Sequence, residues 1–154
     1  MHIKTSSING NQAKSLCKEI TEDLPEYFGL PECNEQYYRG IQSKINFSLA
    51  VDEKESGLIS IDFPYPNSAN IYWMGILKAH HHKGYGAQLI EIASQYAKQH
   101  HAKIITVETL SPKESDESYL KTFRVYESVG FLPMFDLKPD GYKWNMTYLC
   151  KILD

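Results

Sequence analysis

What the chain has little of narrows the field first. Its three cysteines, Cys17, Cys33 and Cys150, are widely spaced and form no CxxC pair. That argues against a disulfide framework or a zinc knuckle and predicts a reducing, cytoplasmic setting. No run approaches the ~20 apolar residues that a membrane span needs. The opening stretch "MHIKTSSING" lacks the apolar centre of a signal peptide. Excess charge is also missing: 16 basic residues face 19 acidic ones for a net of -3, and no basic stripe stands out. Nucleic acid and anionic membranes are therefore not expected partners. Glycine and proline gather into no linker, and no repeat or low-complexity tract appears. Together with 154 residues, this predicts one domain over 1–154. A hydrophobic share of 42% is enough for a real core.

Periodicity supplies a coarse layout. His2 to Thr5 reads as a short strand, and Ala13, Leu16, Cys17 and Ile20 fall at helical spacing after a cap at Asn9 or Asn11. "DLPEYFGLPECNEQYYRGI" reads as a loop and a second short helix ending near Gly40. "INFSLAV", "GLISIDF" and "ANIYWMGIL" are strand-like and predict an antiparallel meander, with turns at 53–57 and 64–67. Leu89, Ile90, Ala93, Tyr96 and Ala97 form an apolar stripe on a helix from about Gly84 to His100. "KIITVETL" is a buried-type strand, so strand, helix and strand here predict a right-handed βαβ unit. A helix through Tyr119, Leu120, Phe123 and Tyr126 ends at Gly130, and 131–137 and 142–153 close the sheet as strands.

The chemistry concentrates in "AHHHKGYGAQL", residues 79–89. Gly84-Tyr85-Gly86 follows a strand and opens a helix. Glycines let backbone N–H groups approach an anion, and the helix start adds unpaired N–H groups and partial positive charge. Lys83 adds a full charge. That is a pyrophosphate cradle, although a plain turn would use the same residues. A Walker A loop is excluded because Lys83 precedes the glycine, and a Rossmann fingerprint fails at Leu89. Three consecutive histidines on an extended loop point in different directions and lack the i, i+4 spacing of helical metal ligands. His100 and His101 are expected to cap the negative end of the helix before them. No metal is expected.

The stretch from Asn70 to Phe131 resembles the GNAT family of acetyl-CoA-dependent N-acetyltransferases. Four segments carry the resemblance in order: "NIYWMGIL", "HHKGYGA", "KIITVETL" and "VYESVGF". They stand where that family has a strand, a Q/R-x-x-G-x-G/A loop at a helix start, a strand, and a helix ending in Tyr-x-x-x-Gly-Phe. His81 takes the place of the usual Gln or Arg. "PEYFGLPE", "FLPMF" and "WNM" are similar to a bacterial branch whose substrates are mostly unassigned.

The resemblance implies a single-domain α+β fold, with a mixed, mostly antiparallel sheet flanked by helices and one βαβ unit for acetyl-CoA. It implies backbone amides from His81, His82, Lys83, Gly84, Tyr85, Gly86 and Ala87 on the coenzyme pyrophosphate, and Met74 and Ile76 beside the pantetheine arm. Tyr126 would protonate the departing thiolate, and Tyr119 stands where the family has a coenzyme-contacting Asn. The reaction implied is direct acetyl transfer to a small-molecule or peptide amine, and the resemblance leaves a homodimer open. An amine with pKa near ~10 must lose a proton before attack. Asn70, Tyr72 and Trp73 offer no carboxylate on the strand before the loop, so Glu108 is the first candidate base and Asp62 the second. A CoA-binding regulatory or metal-responsive module without turnover, and a dinucleotide-binding protein, are the competing expectations.

Overall fold

The computed structural model describes every residue except Gly29, Ser115 and Asp116. Gly29, inside the loop expected between the first two helices, lies outside the described residues. Strands β1 (Ile3–Ile8), β2 (Ile45–Val51), β3 (Lys54–Tyr65), β4 (Ser68–Ile76), β5 (Ile104–Leu110), β6 (Leu132–Leu137) and β7 (Met146–Ile152) form one sheet. Its order is β1-β2-β3-β4-β5-β7-β6. Helices α1 (Gly10–Asp23) and α2 (Pro31–Ile41) pack against one face, and α3 (Tyr85–Gln99) and α4 (Glu117–Ser128) against the other. The α+β class, the meander and the βαβ unit match the sequence reading.

Local chemistry explains the elements. Asn9 caps α1, its side chain accepting from Gln12 N–H while Gln12 returns the bond, so the choice of cap falls on Asn9. Strand β1 runs further than expected, to Ile8, because pairing with β2 outweighs its polar side chains. The β2–β3 turn is tighter than expected: Asp52 and Glu53 both adopt positive φ, which frees Lys54–Gly57 to join β3. His100 closes α3, with its backbone N–H and its ring Nδ1 both directed at the Tyr96 carbonyl.

Two cores flank the sheet. Leu49, Ile59, Ile61, Leu89, Ile90, Ile105 and Leu149 are fully buried on the α3–α4 side. Ala13, Cys17, Ile20, Ile41, Leu58 and Trp73 are buried on the α1–α2 side. Removing a side chain such as Leu89 from the first cluster would cost about 2–5 kcal/mol.

One irregularity governs the site. Only β4 and β5 are parallel, and their pairing runs from Ser68↔Ile104 to Ile71↔Val107 and stops. On the other edge of β4 the register slips there: Ser60 pairs with Trp73 but Ile61 with Ile71, leaving Tyr72 as an extra residue. Such a bulge bends and twists its strand. The second half of β4 stays on β3 and leaves β5, so the sheet splays open beyond Ile71 and Val107.

Candidate active site

The loop between β4 and α3 stands over this splay. A short 3₁₀ turn, Lys78–His80, leads into it. The Asp23 carboxylate at the end of α1 accepts from Lys78 N–H at 2.7 Å and anchors the turn. His82 (φ 63°) and Gly84 (φ 78°) both take left-handed backbone, which reverses the chain before α3. Gly84 is the residue before the helix, and no side chain caps the first turn. The opening N–H groups of α3 therefore have no intrahelical partner and carry the positive end of the helix dipole. A Cβ at Gly86 would point between Met74 of β4 and Val125 of α4, 3.8 and 3.6 Å away. The glycine thus leaves a narrow groove between α3, β4 and α4. The residues fit a coenzyme with a pyrophosphate and a narrow amide-bearing arm.

The rings of the three histidines turn in different directions, with His82 edge-on to His81. His81 Nε2 lies 2.7 Å from the Ile76 carbonyl and its ring meets Tyr27 edge-on. His80 tilts against Tyr85, and His82 is exposed. His81 thus ties the loop to the end of β4 through its side chain. Tyr85 points its ring into the core, while Lys83 is exposed. Among the described residues, no three His, Cys, Asp or Glu side chains converge on one point.

Tyr126 lies next to Val125, on the buried face of α4 and in one cluster with Ile71, Tyr85 and Val107. Phe131 packs edge-to-face on its ring at 5.5 Å. Burial pushes the phenol's pKa well above its ordinary value, so it keeps its proton at neutral pH.

Glu108 is the first β5 residue past the end of the parallel pairing, and it faces away from Val107 and the α3 side. Its two oxygens accept from Tyr148 (2.5 Å) and Tyr142 (3.2 Å). Asp62 is instead ion-paired with Lys44 at 2.9 Å. Tyr119 donates to the Tyr27 carbonyl and packs on its ring at 5.7 Å, so α4 reaches across the splay to the loop after α1. A separate surface groove of about 680 Å³, lined by Pro66, Lys98, His101 and Lys103, lies at the opposite end of the parallel pair. It brings together none of these groups.

Residues 14–131 match the model of the acetyltransferase (GNAT) family. The chain belongs to the GNAT acetyltransferases. Many solved structures share its fold, three of which illustrate it. A GNAT-family protein from Desulfovibrio desulfuricans has a TM-score of 0.83 at 14% identity, over 99% of this chain and 100% of that one. The ribosomal-protein-S18-alanine N-acetyltransferase of Escherichia coli has a TM-score of 0.78 at 12% identity, over 99% and 95%. A GNAT acetyltransferase of Elizabethkingia anophelis, solved with acetyl-CoA bound, has a TM-score of 0.74 at 16% identity, over 98% and 98%. Nothing matches among curated protein sequences. This acetyltransferase has no described helix long and apolar enough to cross a membrane.

Sequence reasoning singled out the loop of this acetyltransferase, Tyr126 and Glu108, and did not anticipate the two phenols that bond Glu108. The available signal was the eleven tyrosines against six phenylalanines. An apolar core has no need of that many hydroxyls.

Proposed function

We propose that the protein transfers acetyl from acetyl-CoA to the nitrogen of a small-molecule or peptide amine by direct attack, and that residues 1–154 act as one catalytic unit. The observation that carries this reading is the splay itself. One side of it has an uncapped helix start and the groove at Gly86, and the other has Glu108, with the buried phenol of Tyr126 close behind the groove.

The coenzyme supplies an activated thioester. The first-turn amides of α3, with His82 and Lys83, bind its pyrophosphate, and the β4 edge at Met74 and Ile76 aligns its arm. The amine nitrogen bonds to the acetyl carbon as the carbon–sulfur bond breaks, and Tyr126 gives its proton to sulfur. A phenol of ordinary pKa ~10 is a weaker acid than a thiol near ~8.5. Burial penalises both anions, so the transfer is drawn by the charge that develops on sulfur as the carbon–sulfur bond breaks. The proton shed by the amine goes to Glu108, directly or through the phenol of Tyr142 or Tyr148. Release of product and solvent exchange return both side chains to their starting states. Tyr119 closes the entrance beside Tyr27.

The test is release of free thiol from acetyl-CoA in the presence of an amine panel. Tyr126→Phe is expected to lower kcat by 10²-fold or more while leaving CoA affinity within about twofold. A wild-type rate in that variant would overturn the general-acid role. Stabilisation by CoA without turnover on any amine would favour a binding module instead.

A further inference from the structure

The α1–α2 side of the splay is built from tyrosines. Tyr37 of α2 and Tyr72 of β4 meet edge-on at 6.1 Å. Tyr72 owes its position to the β4 bulge and to Gly40, where a Cβ would lie 2.1 Å from the Tyr72 hydroxyl. Tyr142, from the segment before β7, and Tyr148, on β7, both donate to Glu108. The phenol of Tyr37 is raised first by burial and then by Tyr142, Cys33, Glu108 and Tyr119 near it. Burial also raises Tyr142, and the charge of Glu108 raises it further. Five stretches of chain thus bring phenol rings to this side of the splay, and a sixth, β5, brings the carboxylate that two of them bond.

Charge in this chamber is scarce. Asp62, the acid of the adjoining β3, is held by Lys44, whose ammonium also lies 4.8 Å from the Tyr72 ring centre. Among the described residues, Glu108 is the carboxylate that hydrogen-bonds with these phenols. Asp62 keeps one buried oxygen without a partner, but a second cation reaching for it would meet the charge of Lys44. An anionic ligand would meet Glu108. The rings offer apolar edges, π faces that attract cations, and hydroxyl oxygens with free lone pairs.

We propose that the acceptor is a monocationic amine carried on a flat or apolar body: its ammonium docks at Glu108 between Tyr142 and Tyr148, and its body lies against Tyr37 and Tyr72. Polyamines, aminoglycosides and acidic peptides fit poorly, since one carboxylate matches one positive charge. The inference rests on the acetyl-transfer reading for the fate of the amine but not for its binding.

Two measurements test it. In thiol-release assays with acetyl-CoA, 2-phenylethylamine is expected to show kcat/KM at least about tenfold above spermidine and kanamycin. Benzyltrimethylammonium has no N–H and cannot be acetylated, so its binding, followed by intrinsic fluorescence, reports the chamber alone. Affinity is expected to fall about tenfold in Glu108→Gln and severalfold in Tyr37→Leu, with CoA binding unchanged. Equal ammonium affinity in wild type and Glu108→Gln, or a preference for spermidine or kanamycin, would overturn the proposal. Ammonium binding that depends on Glu108 with no turnover of any amine would uphold the chamber and sink the transfer reaction.

Discussion

The loop before α3 and the phenol wall around Glu108 flank the same splay but are made differently. The loop is one short run, 80–87, whose usable groups are backbone N–H donors, and its side chains mostly turn to the core, to Ile76 or to solvent. The wall is assembled from α2, β4, β5, α4, β7 and the segment before β7, and its usable groups are all side chains. A binding surface made of backbone fixes a ligand that never changes. One made of side chains from separate elements can be altered residue by residue without disturbing the fold. On the proposed reading, coenzyme and acceptor divide along that line.

Breaking the coenzyme side is expected to have the largest effect. Gly86→Leu fills the groove between Met74 and Val125, and CoA affinity measured by calorimetry should fall by tenfold or more, equally for every acceptor. Glu108→Gln separates the two sides: kcat/KM for a cationic amine should drop by about 10²-fold while CoA affinity stays within twofold. Tyr142→Phe, which removes one of two donors to Glu108, should raise acceptor KM by about three- to tenfold and leave CoA affinity unchanged.

Two smaller effects concern stability. Asn9→Ala removes the α1 capping box, remote from either side, and should cost about 1 kcal/mol in denaturant unfolding with kinetics unaltered. Burial pushes the Cys17 thiol from 9.0 up to about 12. The unfolded chain therefore releases this proton first, and the stability that the neutral thiol contributes, full below pH 9, is lost as pH rises toward 12. Unfolding midpoints across pH 8 to 11 should fall, and less steeply in Cys17→Ala. CoA affinity on the backbone loop should vary less with pH than stability does.

How much of this was legible follows the same division. Asn9, the apolar stripe of α3 and the Gly84 turn were readable because helix caps, 3.6-residue periodicity and positive φ are local demands met by local residues. Glu108 and Tyr126 were singled out through a resemblance to a family, and the coordinates add their surroundings: two phenols on the first, Phe131 and full burial around the second. The role of His81 was only half visible. Its position in the loop was evident, but the bond from its ring to Ile76 depends on where β4 ends.

The sequence by itself determined the order of elements, the alternation that sorts residues to the two faces of the sheet, and the glycine loop, since each is set within a few consecutive residues. Only the tertiary structure decided that the bulge at Tyr72 coincides with the end of the β4–β5 ladder, that Tyr142 and Tyr148 both donate to Glu108, and that Tyr37 meets Tyr72. Those are contacts between residues up to 40 positions apart. Nothing in the spacing of a chain encodes which hydroxyls will share one carboxylate once its strands have paired.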